Sequence, residues 1–461
     1  MKRIAVFCIP AHGHTNPLLP VVTELARRGN EVRFYSFEEF REKIEKTGAA
    51  FVSCDPYLQK LTAREEAKLK QVSTTEMTIQ DLRLTLAMND FLHAEFLSFR
   101  PDVVYSDSAC FWGKLNAWKH DVPLVVSTST FAFNKLSSQY MKSTPKEMAD
   151  LFLGMPKVKK ELSRLKACGY PNKGLLALIQ SGNSTDSVVY TSKKFQPYAE
   201  SFSDRYLFAG PSVFSDKQPE KDSLRPLVYI SLGTVINDRP DFYRRCIEAL
   251  KDEKVDVIIS CGPSVSMESL GALPENVKVF PSVDQLDVLS RAGVFLTHCG
   301  MNSVSESLYM AAPMVLYPQT NEQAAVARRV AEIHAGALLR DDSAVGIRQA
   351  VRHILNTPAF AEAAKACSED FRSCPGTAGA ADFVEGAPHT SNGADVVRQL
   401  DRVSAVSQAV YGGAAIALGK ALFPAALHPK YKRLYLLAAI GLAVPVNKQV
   451  QKLAYKRLTK T

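Results

Sequence analysis

Two histidine-bearing loops carry most of the chemistry written into this chain. PAHGHTNP, residues 10–17, follows an apolar run, and THCGMNSVSE, residues 297–306, follows another. In the first loop His14 can take a proton near neutral pH, with His12 competing for that role. Position alone allows equally a histidine bonded to loop backbone. Asp107 ends the run VVYSD and reaches the same sheet edge. It can fix an imidazole tautomer or cap a helix beginning near Ser108. In the second loop His298 and Gly300 lie between strand and helix, where free N–H groups and the helix dipole attract a diphosphate. Asn302 and Glu306 stand four residues apart on one helix face. Glu306 suits ribose hydroxyls or is a solvent-facing helix glutamate, and Asn302 contacts the ligand or caps the helix. Ser303 adds a hydroxyl, and PQTNEQ, residues 318–323, adds Glu322 and Gln323. SLGT, residues 231–234, repeats the strand-to-loop theme. No serine or cysteine nucleophile sits beside His14 and Asp107, so the pair reads as a base activating a hydroxyl. The chain has no GxGxxG, no GxxxxGK[ST] and no Asp-x-Asp. Dinucleotide oxidoreduction, P-loop hydrolysis and divalent-metal sugar transfer lose ground accordingly.

These loops require strands that end at a common edge. IAVFCI (4–9), EVRFY (31–35), VVYS (103–106), LVVS (124–127) and SVVY (187–190) read as parallel strands alternating with helices. The first helix is expected to be capped by Asn16 with Pro17 at its first position, and to end near Gly29. Residues 56–98 and 131–182 are long helical excursions suited to an acceptor pocket. After a polar linker, residues 211–225, the alternation restarts with LVYIS (227–231), VDVIIS (255–260), VKVF (277–280), VFLT (294–297) and PMVLY (313–317). The predicted domains are 1–210, 226–387 and a tail, 388–461, as befits a chain of 461 residues.

Charge is unevenly distributed. Residues 402–461 hold ten Lys/Arg and no Asp/Glu, whereas the rest holds 46 basic and 47 acidic residues. The body therefore gives no reason for a nucleic-acid partner. In the tail, apolar runs 405–427 and 434–446 flanked by basic residues read either as a peripheral membrane contact or as a helix pair packed on the body. Scattered cysteines without a CxxC pair and an N-terminus without a signal-peptide pattern fit a cytoplasmic protein. Nothing in the sequence calls for a metal, and the chain is expected to be a monomer.

The motifs PAxGHxNP at 10–17, SLGT at 231–234 and THCGMNSVSES at 297–307, with Phe195, Gln196 and Pro197, resemble the family 1 glycosyltransferases of GT-B fold, in particular the bacterial macrolide/flavonoid type. The resemblance covers residues 1 to about 387. It implies an α/β protein with two Rossmann-like, doubly wound domains facing across a cleft, acceptor on the first and nucleotide sugar on the second. Carried over by residue, His14 is the general base and Asp107 its partner. Ser231, Thr234, His298, Gly300, Asn302 and Ser303 lie at the diphosphate. Val283 and Gln285 lie near the base, Glu306 at the ribose, and Glu322 and Gln323 at the sugar hydroxyls. The implied reaction is inverting transfer of a hexose, glucose on UDP by family default, to a hydroxyl of a bulky hydrophobic acceptor (macrolide, flavonoid, sterol or lipid). It needs no metal. Ser282 stands where the family often stacks an aromatic ring on the nucleotide base, and Asp284 replaces a proline. Other readings are a nucleotide-sugar 2-epimerase of the same fold and a non-catalytic nucleotide-sugar or lipid-binding protein at the membrane.

Overall fold

The computed structural model describes residues 1–58, 74–134, 136–141, 144–171, 173–179, 185–213, 217–221, 224–234 and 236–389, with the short stretch 452–457 and isolated positions beyond. The first sheet contains β1 (Arg3–Phe7), β2 (Glu31–Ser36), β3 (Ala50–Ser53), β4 (Val103–Asp107), β5 (Leu124–Thr128), β6 (Asp186–Val189) and β7 (Tyr206–Phe208). Their order is β3-β2-β1-β4-β5-β6-β7, and every pair is parallel. The second sheet contains β8 (Leu227–Ser231), β9 (Asp256–Ser260), β10 (Val277–Phe280), β11 (Ala292–Thr297), β12 (Met314–Leu316) and β13 (Gly336–Leu338), ordered β10-β9-β8-β11-β12-β13 and again all parallel.

Helices cover both faces, which is why central strands such as β4, β5 and β8 are mostly apolar, with polar residues only at their carboxyl ends. Every residue of β4, β5 and β8 is buried. The helices that position the site are α1 (His12–Arg27), α2 (Arg41–Glu45), α3 (Thr74–Ala87), α4 (Asn89–Phe99), α5 (Phe111–Lys119), α6 (Pro145–Ala167) and α7 (Leu175–Ile179) in the first half. The second half has α8 (Pro240–Leu250), α9 (Gln285–Arg291), α10 (Met301–Tyr309), α11 (Asn321–Glu332), α12 (Ala344–Leu355), α13 (Pro358–Arg372) and α14 (Gly376–Gly386).

The start of α1 differs from the sequence expectation. The helix begins at His12 with Ala11 as its extended, uncapped N-terminal neighbour, so Asn16 is not the cap and Pro17 lies inside. A proline there removes the N–H that would bond the Gly13 carbonyl. That carbonyl is satisfied instead by Asn302 Nδ2 from the second half, at 3.1 Å. The proline is tolerated because its unpaired acceptor has another donor.

The end of the second unit also differs. Residues 376–387 were grouped with it, but α14 packs along α1. Ala380, Ala381, Val384 and Ala387 join the core of the first sheet, beside Val21, Val22 and Leu25. Arg28 clamps the arrangement through ion pairs to Asp382 at 2.5 Å and Glu385 at 2.7 Å. The chain thus crosses back to brace the first unit before the tail begins. The junction is closed by Phe195, whose ring meets Phe371 edge-on at 5.8 Å, and whose carbonyl accepts from Arg329 Nε at 2.9 Å.

Among the described residues no helix is long and apolar enough to cross a membrane. The apolar runs 405–427 and 434–446 lie outside the described residues. Residues 452–457 are helical, and Tyr455 meets Tyr198 edge-on at 5.2 Å.

The packing of α14 sets a stability expectation. Val384→Ala should lower the unfolding free energy by about 1–3 kcal/mol, as expected for deleting buried methyl groups. Denaturant unfolding of the full chain measures it, and a loss below about 0.5 kcal/mol would contradict the packing described.

Candidate active site

In a parallel sheet the carboxyl ends of the strands share one edge, and ligand-binding loops leave from it. The loop after β1 leads into the first turn of α1 and delivers His14. The last residue of β4 is Asp107. The two meet: His14 Nδ1 lies 2.9 Å from Asp107 Oδ2. The carboxylate is fully buried, while 29% of the His14 side chain remains exposed. Asp107 Oδ1 accepts from the Ala109 N–H at 2.9 Å. One oxygen thus partners the imidazole and the other holds the turn that follows, without capping a helix. The helix that follows begins later than Ser108, with Cys110 as its cap. His12 points elsewhere, to Glu39 at 3.2 Å and the Phe40 ring.

An Nδ1–H given to Asp107 leaves Nε2 of the neutral ring with a free lone pair. Burial alone would push the His14 pKa down. The charge and hydrogen bond of Asp107, aided by Glu322 and Asp81, outweigh burial and lift it to about 8. Glu322 belongs to the second half, in the first turn of α11.

His298 follows β11 and has the opposite environment. Burial pushes it down to about 4, only partly opposed by a backbone contact at Ser231, so the ring is neutral. Its Nδ1 is buried without a hydrogen-bond partner. Two glycines close around this ring. A Cβ on Gly233 or on Gly300 would come within 2.5 Å of it, and Gly233 also has φ +77°. Between them Cys299 adopts φ +67°, a left-handed conformation that non-glycine residues adopt at some cost. Gly300 then opens α10 with no side-chain cap, so the first N–H groups of that helix are available to an anion.

The remaining sequence candidates divide. Glu306 is half-buried rather than solvent-facing: its carboxylate accepts from Gln285 Nε2 at 2.6 Å, and the loss of solvent around it raises its pKa. Gln285 also contacts Ser303 Oγ at 3.4 Å and accepts from Tyr229 OH at 3.1 Å. Four polar side chains are thus linked at one place. Val283 packs on the second core while Ser282 is exposed. Asp284 caps α9 by accepting from Asp287 N at 3.2 Å, which explains how the loop tolerates losing a proline. Ser231 Oγ accepts from Gly233 N at 3.3 Å, and Thr234 is exposed nearby. Asn302 is tied to the Gly13 carbonyl and is not the cap. Glu322 is exposed, but the Gln323 carbonyl is engaged in a capping box, accepting from Thr320 N at 3.2 Å and Gln319 N at 2.8 Å.

Three participants were not singled out from sequence. Ser129, just past β5, places Oγ 3.2 Å from His14 Nδ1. The same strand-end rule that selected Asp107 selects it. Asp81, on α3, interacts electrostatically with Asp107, Lys114 and His14, and burial is the main cause of its rise to about 8. No local motif marks it. Lys114, on α5, is buried beneath the Asp107 turn.

Comparisons with known proteins identify the family. The model of the UDP-glucoronosyl and UDP-glucosyl transferase family matches residues 221–375. The NDP-glycosyltransferase YjiC of Bacillus licheniformis is 32% identical over 404 residues, spanning 83% of this chain and 97% of its own. The demethyllactenocin mycarosyltransferase of Streptomyces fradiae is 30% identical, spanning 84% and 86%. Among solved structures, the calicheamicin glycosyltransferase CalG4 superposes with a TM-score of 0.68 at 28% identity, covering 84% of this chain and 97% of its own. The kitacinnamycin glycosyltransferase does so with a TM-score of 0.70 at 25% identity, covering 83% and 98%. On its sequence, its two parallel sheets and these relatives, the chain is a GT-B glycosyltransferase and belongs to family 1.

Proposed function

We propose that this enzyme transfers a hexosyl group, glucose from UDP-glucose by default, to a hydroxyl of a bulky hydrophobic acceptor, inverting the anomeric centre. The observation that carries the reading is the His14–Asp107 pair at 2.9 Å, set opposite the uncapped start of α10. The acceptor enters against α3 and α6, excursion helices that pack on each other. Relatives named for oleandomycin and for demethyllactenocin support a large natural product as acceptor.

His14 Nε2 takes the proton of the acceptor hydroxyl while Nδ1–H stays on Asp107, which stabilises the imidazolium. The oxygen attacks the anomeric carbon as the bond to the diphosphate oxygen breaks on the opposite face. An α-linked donor becomes a β-glycoside, and the proton leaves from His14 to solvent or product phosphate. Negative charge grows on the leaving diphosphate. The first N–H groups of α10 and the neutral His298 ring face it, donors already oriented before reaction. Half-buried Glu306 accepts from ribose hydroxyls, and Glu322 and the free amide of Gln323 hold the sugar.

Four outcomes test this reading. His14→Ala should abolish transfer from UDP-glucose, whereas kcat/KM of the parent should rise with pH and level off above about 8, because the base must be unprotonated. Asp107→Asn removes the charge that holds the proton on His14. Its rising limb should therefore move to lower pH while its plateau falls by about 100-fold or more. A parent profile flat between pH 6 and 9 would contradict His14 as the base. For the second domain, Gly233→Ala should push His298 aside and weaken UDP binding by about 10-fold or more. Calorimetric titration with UDP reads this, and unchanged affinity would remove the loop from the diphosphate site.

A further inference from the structure

A buried cation lies under the proposed base pair, and the transfer chemistry above does not consume it. Lys114, on the second turn of α5, is 1% exposed. Its Nζ donates to the carbonyl of Ser108, the residue after Asp107, and to the carbonyl of Leu178 at 2.6 Å. Leu178 belongs to α7, at the end of the excursion that precedes β6. One side chain therefore ties an acceptor-side segment to the turn that aims Asp107. Helix α5 has little slack there. A Cβ added at Gly113 would run into Ser106 Oγ and the Phe7 side chain, so α5 presses directly on β1 and β4.

An ammonium ion buried this way is costly unless it is paired and hydrogen-bonded. Burial pushes Lys114 down to about 8, against the attraction of Asp107, Cys110 and Asp81. A well-packed apolar residue of similar volume would fill the space without that cost, and the Ser108 carbonyl needs only one donor. What an apolar residue cannot do is hold two carbonyls from separate segments while presenting positive charge toward Asp107. The opposite side of Asp107 is held by the Ala109 N–H and His14. The carboxylate thus has its turn anchored from below and its oxygens engaged from above.

We propose that Lys114 is a positioning residue for glycosyl transfer: its buried ammonium joins α7 to the Asp107 turn and so sets how Asp107 meets His14. The proposal rests on the reading of His14 and Asp107 given above. It also makes acceptor-side packing at α7 part of the base's alignment.

The test is an NMR titration of the His14 ring in the full chain, with His14→Ala used to assign its signals. Lys114→Met keeps the length and removes the charge. If alignment is lost, Asp107 no longer holds the imidazolium, and the His14 midpoint should fall by about one pH unit or more. Transfer from UDP-glucose to 4-methylumbelliferone should lose about 10- to 100-fold in kcat. KM for UDP-glucose and the affinity for UDP should stay within about twofold, since the second domain is untouched. Simple removal of a nearby cation, without misalignment, would leave the midpoint unchanged or raise it, and that result overturns the proposal. So would a parallel loss of kcat, UDP affinity and melting temperature, which marks a purely structural role. Should Lys114→Met fail to fold, Lys114→Gln, which retains a donor for one carbonyl, is read by the same midpoint. If His14→Ala keeps full transfer, the base reading fails; the midpoint in the Lys114 variants still scores the positioning claim separately.

Discussion

Strand direction is the constraint on which this molecule depends. Because all seven strands of the first sheet and all six of the second are parallel, each sheet gathers its carboxyl ends at one edge. In the first sheet these ends supply His14 after β1, Asp107 at the end of β4 and Ser129 after β5, and β1, β4 and β5 are neighbours in space. In the second they supply the Gly233 turn after β8, His298 after β11 and the 318–323 loop after β12, again three adjacent strands. Residues far apart in sequence are brought together by the order of the strands. Apolar strand cores covered on both faces then fix the loops from below.

The two site histidines show how environment assigns roles to one side chain. Both are largely enclosed, and for both burial opposes the charged ring. Beside His14 a buried carboxylate reverses the balance and carries the pKa to about 8. Beside His298 the neighbours are two glycines and backbone, and the pKa falls to about 4. The first ring is equipped to gain and release a proton. The second stays neutral and rigid, suited to a hydrogen bond with an anion rather than to proton transfer. The separation follows from one buried charge.

What could be read from the sequence follows the same physics. Central strands such as β1, β4 and β8 carry unbroken apolar runs because both faces are covered, and they stand out. The edge strands β3, β7 and β13 are only partly buried, lack such runs and were not recognised. The site loops were legible because glycine, histidine and short polar residues cluster where strands end. Gly233 and Gly300 were visible as turn residues, but their packing on His298 is tertiary. Asp81 and Lys114 sit inside helices whose local sequence resembles any amphipathic segment. Only the fold brings them under Asp107. Glu306 could be read as a helix-face residue near Asn302, yet its bond to Gln285 depends on α9 meeting α10.

The first helix shows how a local rule can yield to the interface. Asn16 followed by Pro17 is a strong start signal, and by propensity α1 should begin there. It begins one turn earlier, and this brings His14 into the helix, on a backbone held by intrahelical bonds to Ala11. The unpaired Gly13 carbonyl left by Pro17 would weaken an isolated helix. Here it is the acceptor for Asn302, a residue from the loop proposed to hold the diphosphate. The residue before the base and a residue of the donor site are therefore linked directly. The Asn302 side-chain amide carries two N–H donors, so one can stay on the Gly13 carbonyl while the other is open to another acceptor. A standard helix start at Asn16 would leave the Gly13 carbonyl outside the helix, and His14 would then ride on a loop instead of a fixed turn.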